Sequence, residues 1–177
     1  MNNGIAFILA FTAAALPVHA QDTTPPGTVS QTGSANYVAC MYAVEDADDQ
    51  FRNTLQSTCL ERMGNLCVGR STRTLPSQAI DCIHFEVRRS VDFLQVAVAD
   101  LPQNVEAKGF FGHGYPERRS ELLAKIEDLQ GRERPESLDD AGQQAVAMAS
   151  AVWTLFWLAR ETETPLGPHI LSTLGAQ

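Results

Sequence analysis

The chain has 177 residues and a formal net charge of −8, with 21 acidic and 13 basic residues. Binding to nucleic acid or to an anionic lipid surface needs clustered Lys and Arg, so this charge argues against both classes of partner. It is compatible with a basic protein partner.

The first twenty residues predict a cleaved secretory signal peptide. An apolar run over residues 4–16 precedes Pro17 and an ending at Ala20 that fits a small-x-small cleavage signature. The run is shorter than the about 20 apolar residues that span a bilayer as a helix. We therefore expect cleavage between Ala20 and Gln21, a periplasmic or secreted mature chain, and no membrane span in it.

The mature chain is predicted to begin with a flexible linker over residues 21–35, which is rich in Thr, Pro, Gly and Ser and has almost no large apolar side chains. Residues 36–177 are predicted to form a single helical domain. Its cysteine-containing part covers residues 36–101, and a C-terminal helical pair covers residues 116–163. An even number of cysteines in a secreted chain suggests disulfides, here two among Cys40, Cys59, Cys67 and Cys82.

Apolar residues recur at helical spacing in every segment, and no β-type alternation appears, so we predict an all-α bundle of four to five helices. The first periodic segment, which begins near Tyr37, contains an acidic stretch at 45–49 that is either a solvated face or a break between two helices. The longest predicted helix runs from Pro76 to about Leu101. Two apolar stripes make it central; they comprise Ile80, Ile83, Val87, Val91, Leu94 and Val98, and opposite them Cys82, Phe85, Phe93 and Val96.

A polar stripe on this helix, formed by Asp81, His84, Arg88, Asp92 and Gln95, is expected to be exposed and paired within itself. Glu86 falls outside that stripe, beside small residues that let another helix approach closely. Its carboxylate is therefore expected to be partly covered and to need a partner such as an arginine. Glu86 and Asp92 are the two candidate buried or binding carboxylates.

The last predicted helix contains fifteen uncharged residues from Ala145 to Ala159, including Trp153 and Trp157. A helix that is apolar on most sides is normally buried in a bundle. The alternative is a docking helix for a membrane or a partner protein.

The loop sequence GFFGHGY gives a candidate partner loop of Phe110, Phe111, His113 and Tyr115, because aromatic side chains supply contact area at low entropic cost. The alternative is an irregular connection whose Phe side chains fold back onto the bundle. The sequence carries no metal-ligand or nucleophile motif, so we predict no catalytic residue, no metal, no cofactor and no enzymatic activity.

The cysteine region resembles the N-terminal domain of the lysozyme inhibitor LprI family. The resemblance rests on Cys59 and Cys67, a turn containing Thr and Pro, Cys82 entering a helix, and then Glu86 and Asp92. It covers about residues 40–100; the family's Asn after the acidic motif and its closing cysteine are absent, and its Trp and Arg segment is echoed at 153–160. The resemblance implies a small helical periplasmic domain stapled by disulfides and, in the member that named the family, inhibition of lysozyme.

The resemblance also favours a disulfide between Cys67 and Cys82, with Cys40 and Cys59 as the remaining pair. A competing arrangement joins Cys59 to Cys82. Cys40 and Cys59 would lie roughly 28 Å apart on one continuous helix, whereas a disulfide allows a Cα separation of about 4.4 to 6.8 Å. Their pairing therefore requires a helix break near residues 46–49.

Two functions are expected from these observations. The first is a helical binding protein, lysozyme inhibitor-like, that acts on a basic envelope enzyme such as lysozyme, which an acidic protein would attract. The second is a periplasmic structural or assembly protein with an unknown partner and no catalysis. The sequence does not indicate an oligomeric state.

Overall fold

The computed structural model describes residues 37–44, 49–69, 75–105 and 114–170. In these residues the chain forms no strand, and the predicted all-α bundle with disulfides is confirmed. A short helical segment at 167–170 follows the main helices. The five helices are α1 (Tyr37–Ala43), α2 (Asp49–Val68), α3 (Pro76–Asp100), α4 (Tyr115–Gly131) and α5 (Leu138–Glu161). The predicted signal peptide, with its cleavage site after Ala20, and the linker lie outside the described residues.

The first periodic segment is two helices, because α1 ends at Ala43 and α2 begins at Asp49. Of the two interpretations of its acidic stretch, the break is the one observed. It lets α2 return alongside α1, and Cys40 and Cys59 come within a Cα separation of 5.7 Å.

Both disulfides join helices that follow one another in the N-terminal half of the chain. Cys40 is bonded to Cys59, which ties α1 to α2, and Cys67 is bonded to Cys82, which ties α2 to α3. This is the pairing that the family resemblance favours, and the competing Cys59 to Cys82 bond is not formed. Disulfides persist in oxidising compartments, so they indicate a location outside the cytoplasm.

Helix α3 lies at the centre of the bundle and contacts each of the other four helices. Its first apolar stripe is buried throughout, and so is the neighbouring strip of Ala79, Glu86, Ser90 and Ala97. The second predicted stripe is wrong in part: Phe93 is buried, but Phe85 and Val96 are about half exposed, at 48% and 56%. The buried surface of α3 is therefore one broad face.

The polar stripe of α3 is exposed or partly exposed, and within it Asp81 interacts electrostatically with His84, as expected. Asp81 also forms a salt bridge outside the stripe, with Arg134, and 2.6 Å separate the carboxylate from the guanidinium Nε. Arg88 donates a hydrogen bond to the backbone carbonyl of Gln130 at 2.9 Å. Both partners belong to the C-terminal part of the chain, so this stripe contributes to holding α3 against α4 and the connection that follows it.

Helices α3 and α5 run in the same direction, and α4 runs in the opposite direction. The rings of Phe93 and Phe156 lie 6.4 Å apart, between the centroids, where α3 and α5 pack together. The hydroxyl of Tyr115, at the start of α4, donates to the carbonyl of Pro102 just after α3, at 2.7 Å. Beyond α5, the His169 Nε2 lies 2.6 Å from the carboxylate of Asp100, so the chain after α5 is attached to the end of α3.

Helix α5 begins after Ser137, whose hydroxyl accepts a hydrogen bond from the Asp140 backbone N–H at 3.1 Å and so caps the helix. By contrast, α3 begins after Leu75 with no hydroxyl cap, and the Gln78 side chain accepts from the Leu75 N–H instead. Most of the uncharged stretch of α5 is buried in the bundle. Across the described residues, no helix combines the length and apolarity needed to cross a bilayer.

Candidate functional site

Glu86 is the one acidic side chain among the buried residues of the described chain, with 3% of its surface exposed. Its Oε2 atom has no hydrogen-bond partner, and neither has the hydroxyl of Ser90, which is buried one turn further along α3. Burial raises the pKa of the Glu86 carboxyl, and the nearby Arg89 guanidinium acts in the opposite direction. The expected arginine is thus present as a nearby charge.

Asp92, the second candidate carboxylate, is exposed on the solvent side of α3. This exposure agrees with its place in the polar stripe, so Asp92 is not a buried carboxylate, and a binding role for it stays a prediction. Asp92 and Glu86 lie on different sides of α3, so they do not form a pair of carboxylates facing one cleft.

The candidate partner loop falls mostly outside the described residues, which include neither Phe110, Phe111 nor His113. Tyr115 is described, and it is 1% exposed with its hydroxyl bonded to the Pro102 carbonyl. It is therefore part of the core and cannot present its ring to a partner, which corrects the prediction for this residue.

A shallow depression that opens to solvent lies between α1, α2 and α5, and we call it the pocket. Helix α5 contributes its aromatic residues at steps of three and four, which places them on one face. Both tryptophans of the chain are there and are half-buried. The pocket is lined by Met41, Val44, Gln56, Trp153, Phe156, Trp157 and Arg160.

Two polar side chains interrupt the apolar lining of this pocket. The amide Nε2 of Gln56 is buried and has no hydrogen-bond partner. Arg160 lies on the exposed side, one turn of α5 beyond Phe156. A second cation is close by, because the guanidinium of Arg118 stacks over the ring of Trp157 at 3.9 Å.

The sequence indicated the aromatic half of this pocket, through the uncharged stretch of α5, but not its polar half. Gln56 lies on α2 and Arg160 on α5, about a hundred residues apart in the chain. Nothing in the local pattern around Gln56 distinguishes it from the other polar residues of α2. Only the packing of α2 against α5 brings the two side chains to one pocket.

A second surface feature lies at the connection between α4 and α5, where residues 127–140 carry six acids and two arginines, a net charge of 2 − 6 = −4. Both arginines are in salt bridges, Arg132 with Asp128 and Arg134 with Asp81, each at 2.6 Å. We call this surface the acidic end. Its exposed acids are Glu127, Asp128, Glu133, Glu136, Asp139 and Asp140.

The described residues contain no group of three or more His, Cys, Asp or Glu side chains that could hold a metal ion. Scans against protein-family models, curated proteins and solved structures return no significant match. The similarity to the lysozyme inhibitor LprI family therefore stays a prediction.

Proposed function

We propose that this protein is a periplasmic or secreted helical binding protein that acts on a basic envelope enzyme, in the manner of a lysozyme inhibitor. Two disulfides support a location outside the cytoplasm. The net charge of −8 supports a basic partner, because opposite net charges accelerate encounter and suppress binding to other acidic proteins.

The observation that carries this proposal is the acidic end. Its carboxylates are exposed, and the two arginines within it each neutralise one acid, Asp128 within the surface and Asp81 beside it. Several like charges on one surface produce a local field that isolated charges do not. This surface is accordingly the first part of the molecule that we expect a cationic protein to meet.

The test is a lysozyme inhibition assay, combined with measurement of the rate at which the two proteins associate at low and at high salt. A basic lysozyme should lose activity as the oxidised protein is added, and the complex should weaken as salt rises. The double variant Glu133→Gln with Glu136→Gln should lower the association rate about three- to ten-fold at low salt.

A matched control carries the same loss of two charges elsewhere, with Glu61→Gln and Glu121→Gln, both exposed in the wild type. We expect this control to change the association rate much less than the double variant. If lysozyme is neither bound at low salt nor inhibited, the proposal is wrong. If both double variants lose the same amount, net charge matters and the acidic end does not.

A structural or assembly role for a periplasmic protein without catalysis is the second candidate. The half-buried tryptophans of α5 favour it, because aromatic residues at partly exposed positions are enriched in protein interfaces. Affinity capture with the wild type and with Trp157→Ala tests it. Loss of a specific partner from the variant would support this role, and identical captured proteins would count against it.

A further inference from the structure

We propose that α5 pairs with the α5 helix of a second copy of this chain, in the antiparallel direction and about a two-fold axis. This inference goes beyond the proposed function, which needs only one copy. It rests on the exposed face of α5, on a glycine in that face, and on the opposite charges at its two ends.

The exposed side of α5 carries eight residues on one helix face. Successive members are 3, 4, 3, 1, 3, 4 and 3 residues apart, a spacing that keeps side chains in a single strip along a helix. None of the eight is buried, because the opposite side of α5 is the one that packs into the core. We call this face the α5 strip, and it consists of Asp139, Gly142, Val146, Ala149, Ser150, Trp153, Trp157 and Arg160.

The spacing of the α5 strip is the same in both directions, so a second strip can align with it in reverse. A two-fold axis between Ala149 and Ser150 places only small side chains at the centre, where two helices can then approach closely. One turn from the axis, Val146 of each copy lies opposite Trp153 of the other. In such an isologous pair every contact occurs twice. The strip is therefore complementary in shape to its own reverse.

Gly142 has no packing role within its own chain. A methyl group at this position would meet nothing within 4 Å in the described residues, and its φ is not positive. Glycine nevertheless destabilises a helix relative to alanine, because it loses more backbone freedom on folding. In the antiparallel pair Gly142 lies opposite Trp157 of the other copy, so the missing side chain leaves room for the exposed part of that indole ring.

Contacts with α4 hold the aromatic half of the α5 strip in one arrangement before a second copy binds. The Arg118 guanidinium stacks over the Trp157 ring at 3.9 Å, and the Lys125 ammonium donates a hydrogen bond to the Ser150 hydroxyl at 3.2 Å. Side chains that are already ordered lose less entropy on association. The free chain therefore presents the strip in a form that needs little rearrangement.

The two ends of the α5 strip carry opposite charges. The antiparallel arrangement brings Asp139 of each copy next to Arg160 of the other, and it also places the two helix dipoles in opposite directions. Both side chains have interactions in their own chain: the Gln143 amide donates to Asp139 at 2.9 Å, and Arg160 has a partner as well. Because a carboxylate can accept several hydrogen bonds and a guanidinium can donate several, both keep the capacity for a contact between copies.

The charges also favour a second copy over an anionic lipid surface, because Asp139 belongs to the acidic end and would be repelled by headgroups of the same sign. The pair is expected to be weak. The strip is roughly 32 Å long at 1.5 Å per residue and about 10 Å wide, less than half of the about 800 Å² per partner that a standard interface buries. We therefore expect monomers at low micromolar concentration and dimers towards millimolar concentration.

Analytical ultracentrifugation of the oxidised protein over this concentration range tests the inference, and tryptophan emission gives a second measurement because both tryptophans lie in the strip. We expect the apparent mass to rise from that of one copy towards that of two. Val146→Glu should abolish the rise, since it places a carboxylate against Trp153 of the other copy. Val96→Glu is the matched control: it makes the same change at a similarly exposed position of α3, 56% against 58%, and should leave the dimer unchanged.

Gly142→Leu separates a lost contact from a lost fold. A leucine side chain occupies the space that Trp157 of the other copy needs, so the dissociation constant should rise at least about ten-fold. The same substitution should raise the melting temperature of the dilute monomer, because leucine has a higher helix propensity than glycine. A lower melting temperature with an unchanged dimer would contradict both expectations.

Exchanging the charges tests the antiparallel direction. Asp139→Arg or Arg160→Asp alone brings like charges together twice in each pair, and either should weaken the dimer about ten-fold at low salt. Asp139→Arg should do so although it lowers the net negative charge of each copy. An equal mixture of the two variants should restore association, because both contacts of the mixed pair then join opposite charges.

The mass of one copy at every concentration would overturn the inference. So would a dimer that Val146→Glu leaves unchanged, a mixture of the two charge variants that does not associate, or binding of the strip to anionic vesicles in preference to a second copy. Val146→Glu retains every acid of the acidic end, so its inhibition of lysozyme should equal that of the wild type. A wild-type protein that stays monomeric and still inhibits lysozyme would remove this inference and leave the proposed function intact.

Discussion

Helices α2 and α5 are of similar length, but they are held in the molecule by different means. Ten of the 24 residues of α5 are buried, and most of these are apolar. In α2, whose 20 residues carry no clear apolar face, the buried described side chains are Cys59, Met63 and Cys67. Two of those three are half-cystines, so covalent bonds do for α2 what apolar packing does for α5.

The difference shows that the bundle has a packed part, formed by α3, α4 and α5, and a part held by disulfides, α2, which we call the stapled part. Helices α3, α4 and α5 bury enough apolar surface to stabilise one another. Helix α2 is attached to its neighbours by disulfides, through Cys59 to α1 and through Cys67 to α3, whereas α1 itself buries Tyr37, Val38 and Met41 in the core. The pocket lies where the two parts meet, so its shape depends on both.

The largest effect is expected from shortening a fully buried residue of the packed part. Leu155 in α5 has no exposed surface, and Leu155→Ala should lower the free energy of unfolding by about 2 to 5 kcal/mol, through lost transfer energy and the cavity left behind. Urea denaturation measures the change. Val146→Ala on the same helix is the control, since Val146 is 58% exposed and should change stability by less than about 0.5 kcal/mol.

The second largest loss of stability is expected from removing the disulfide between α2 and α3. The double variant Cys67→Ser with Cys82→Ser opens a loop of 15 residues and should lower stability by about 3 kcal/mol. Hydrogen exchange should show lost protection in α2, while α3 and α5 keep theirs. Equal loss of protection in α2 and α5 would mean that the two parts unfold as one and that the comparison is wrong.

Replacing the buried Glu86 carboxylate of α3 should have a smaller effect, and it should raise the free energy of unfolding where the two changes above lower it. Burial raises the pKa of Glu86 in the folded protein above its value in the unfolded chain. The free energy of unfolding therefore falls as the pH rises from the unfolded pKa to the folded pKa, because the unfolded chain loses its proton first. Glu86→Met should remove this pH dependence and raise the free energy of unfolding at neutral pH by on the order of 1 kcal/mol.

Denaturation curves at several pH values measure the free energy of unfolding of Glu86→Met, and Asp92→Asn, at an exposed position, is the control. A fall in stability at neutral pH in Glu86→Met would show instead that the attraction to Arg89 outweighs the burial of the charge.

The smallest effect is expected at the start of α5. Ser137→Ala removes the acceptor for the Asp140 N–H and should cost about 0.5 kcal/mol, the low end for a helix cap, because Ser137 is exposed. Thermal unfolding measures it, and Ser120→Ala, at an exposed position of α4, is the control. An equal shift in both variants would mean that the cap contributes nothing specific.

The features that depend on residues close together in the chain, such as helix periods and the composition of a helix face, were predictable from the sequence. The period of α3 identified its first buried stripe, and the small residues beside Glu86 indicated that its carboxylate is covered. The same pattern misplaced Phe85 and Val96, because periodicity records which side chains are apolar and not how many helices surround them. Contacts between distant segments were out of reach as well: the partner of Asp81 is 53 residues away, and Gln56 and Arg160 meet only through packing.

The hydrogen bond from Tyr115 to Pro102 fastens the two ends of the segment between α3 and α4 to each other. With its ends already joined, changing the number of residues between them alters closure entropy only slowly, by about 0.6 kcal/mol for each doubling. Evolution or an experimenter can therefore lengthen this connection, or graft a short epitope into it, with little strain on the helices on either side.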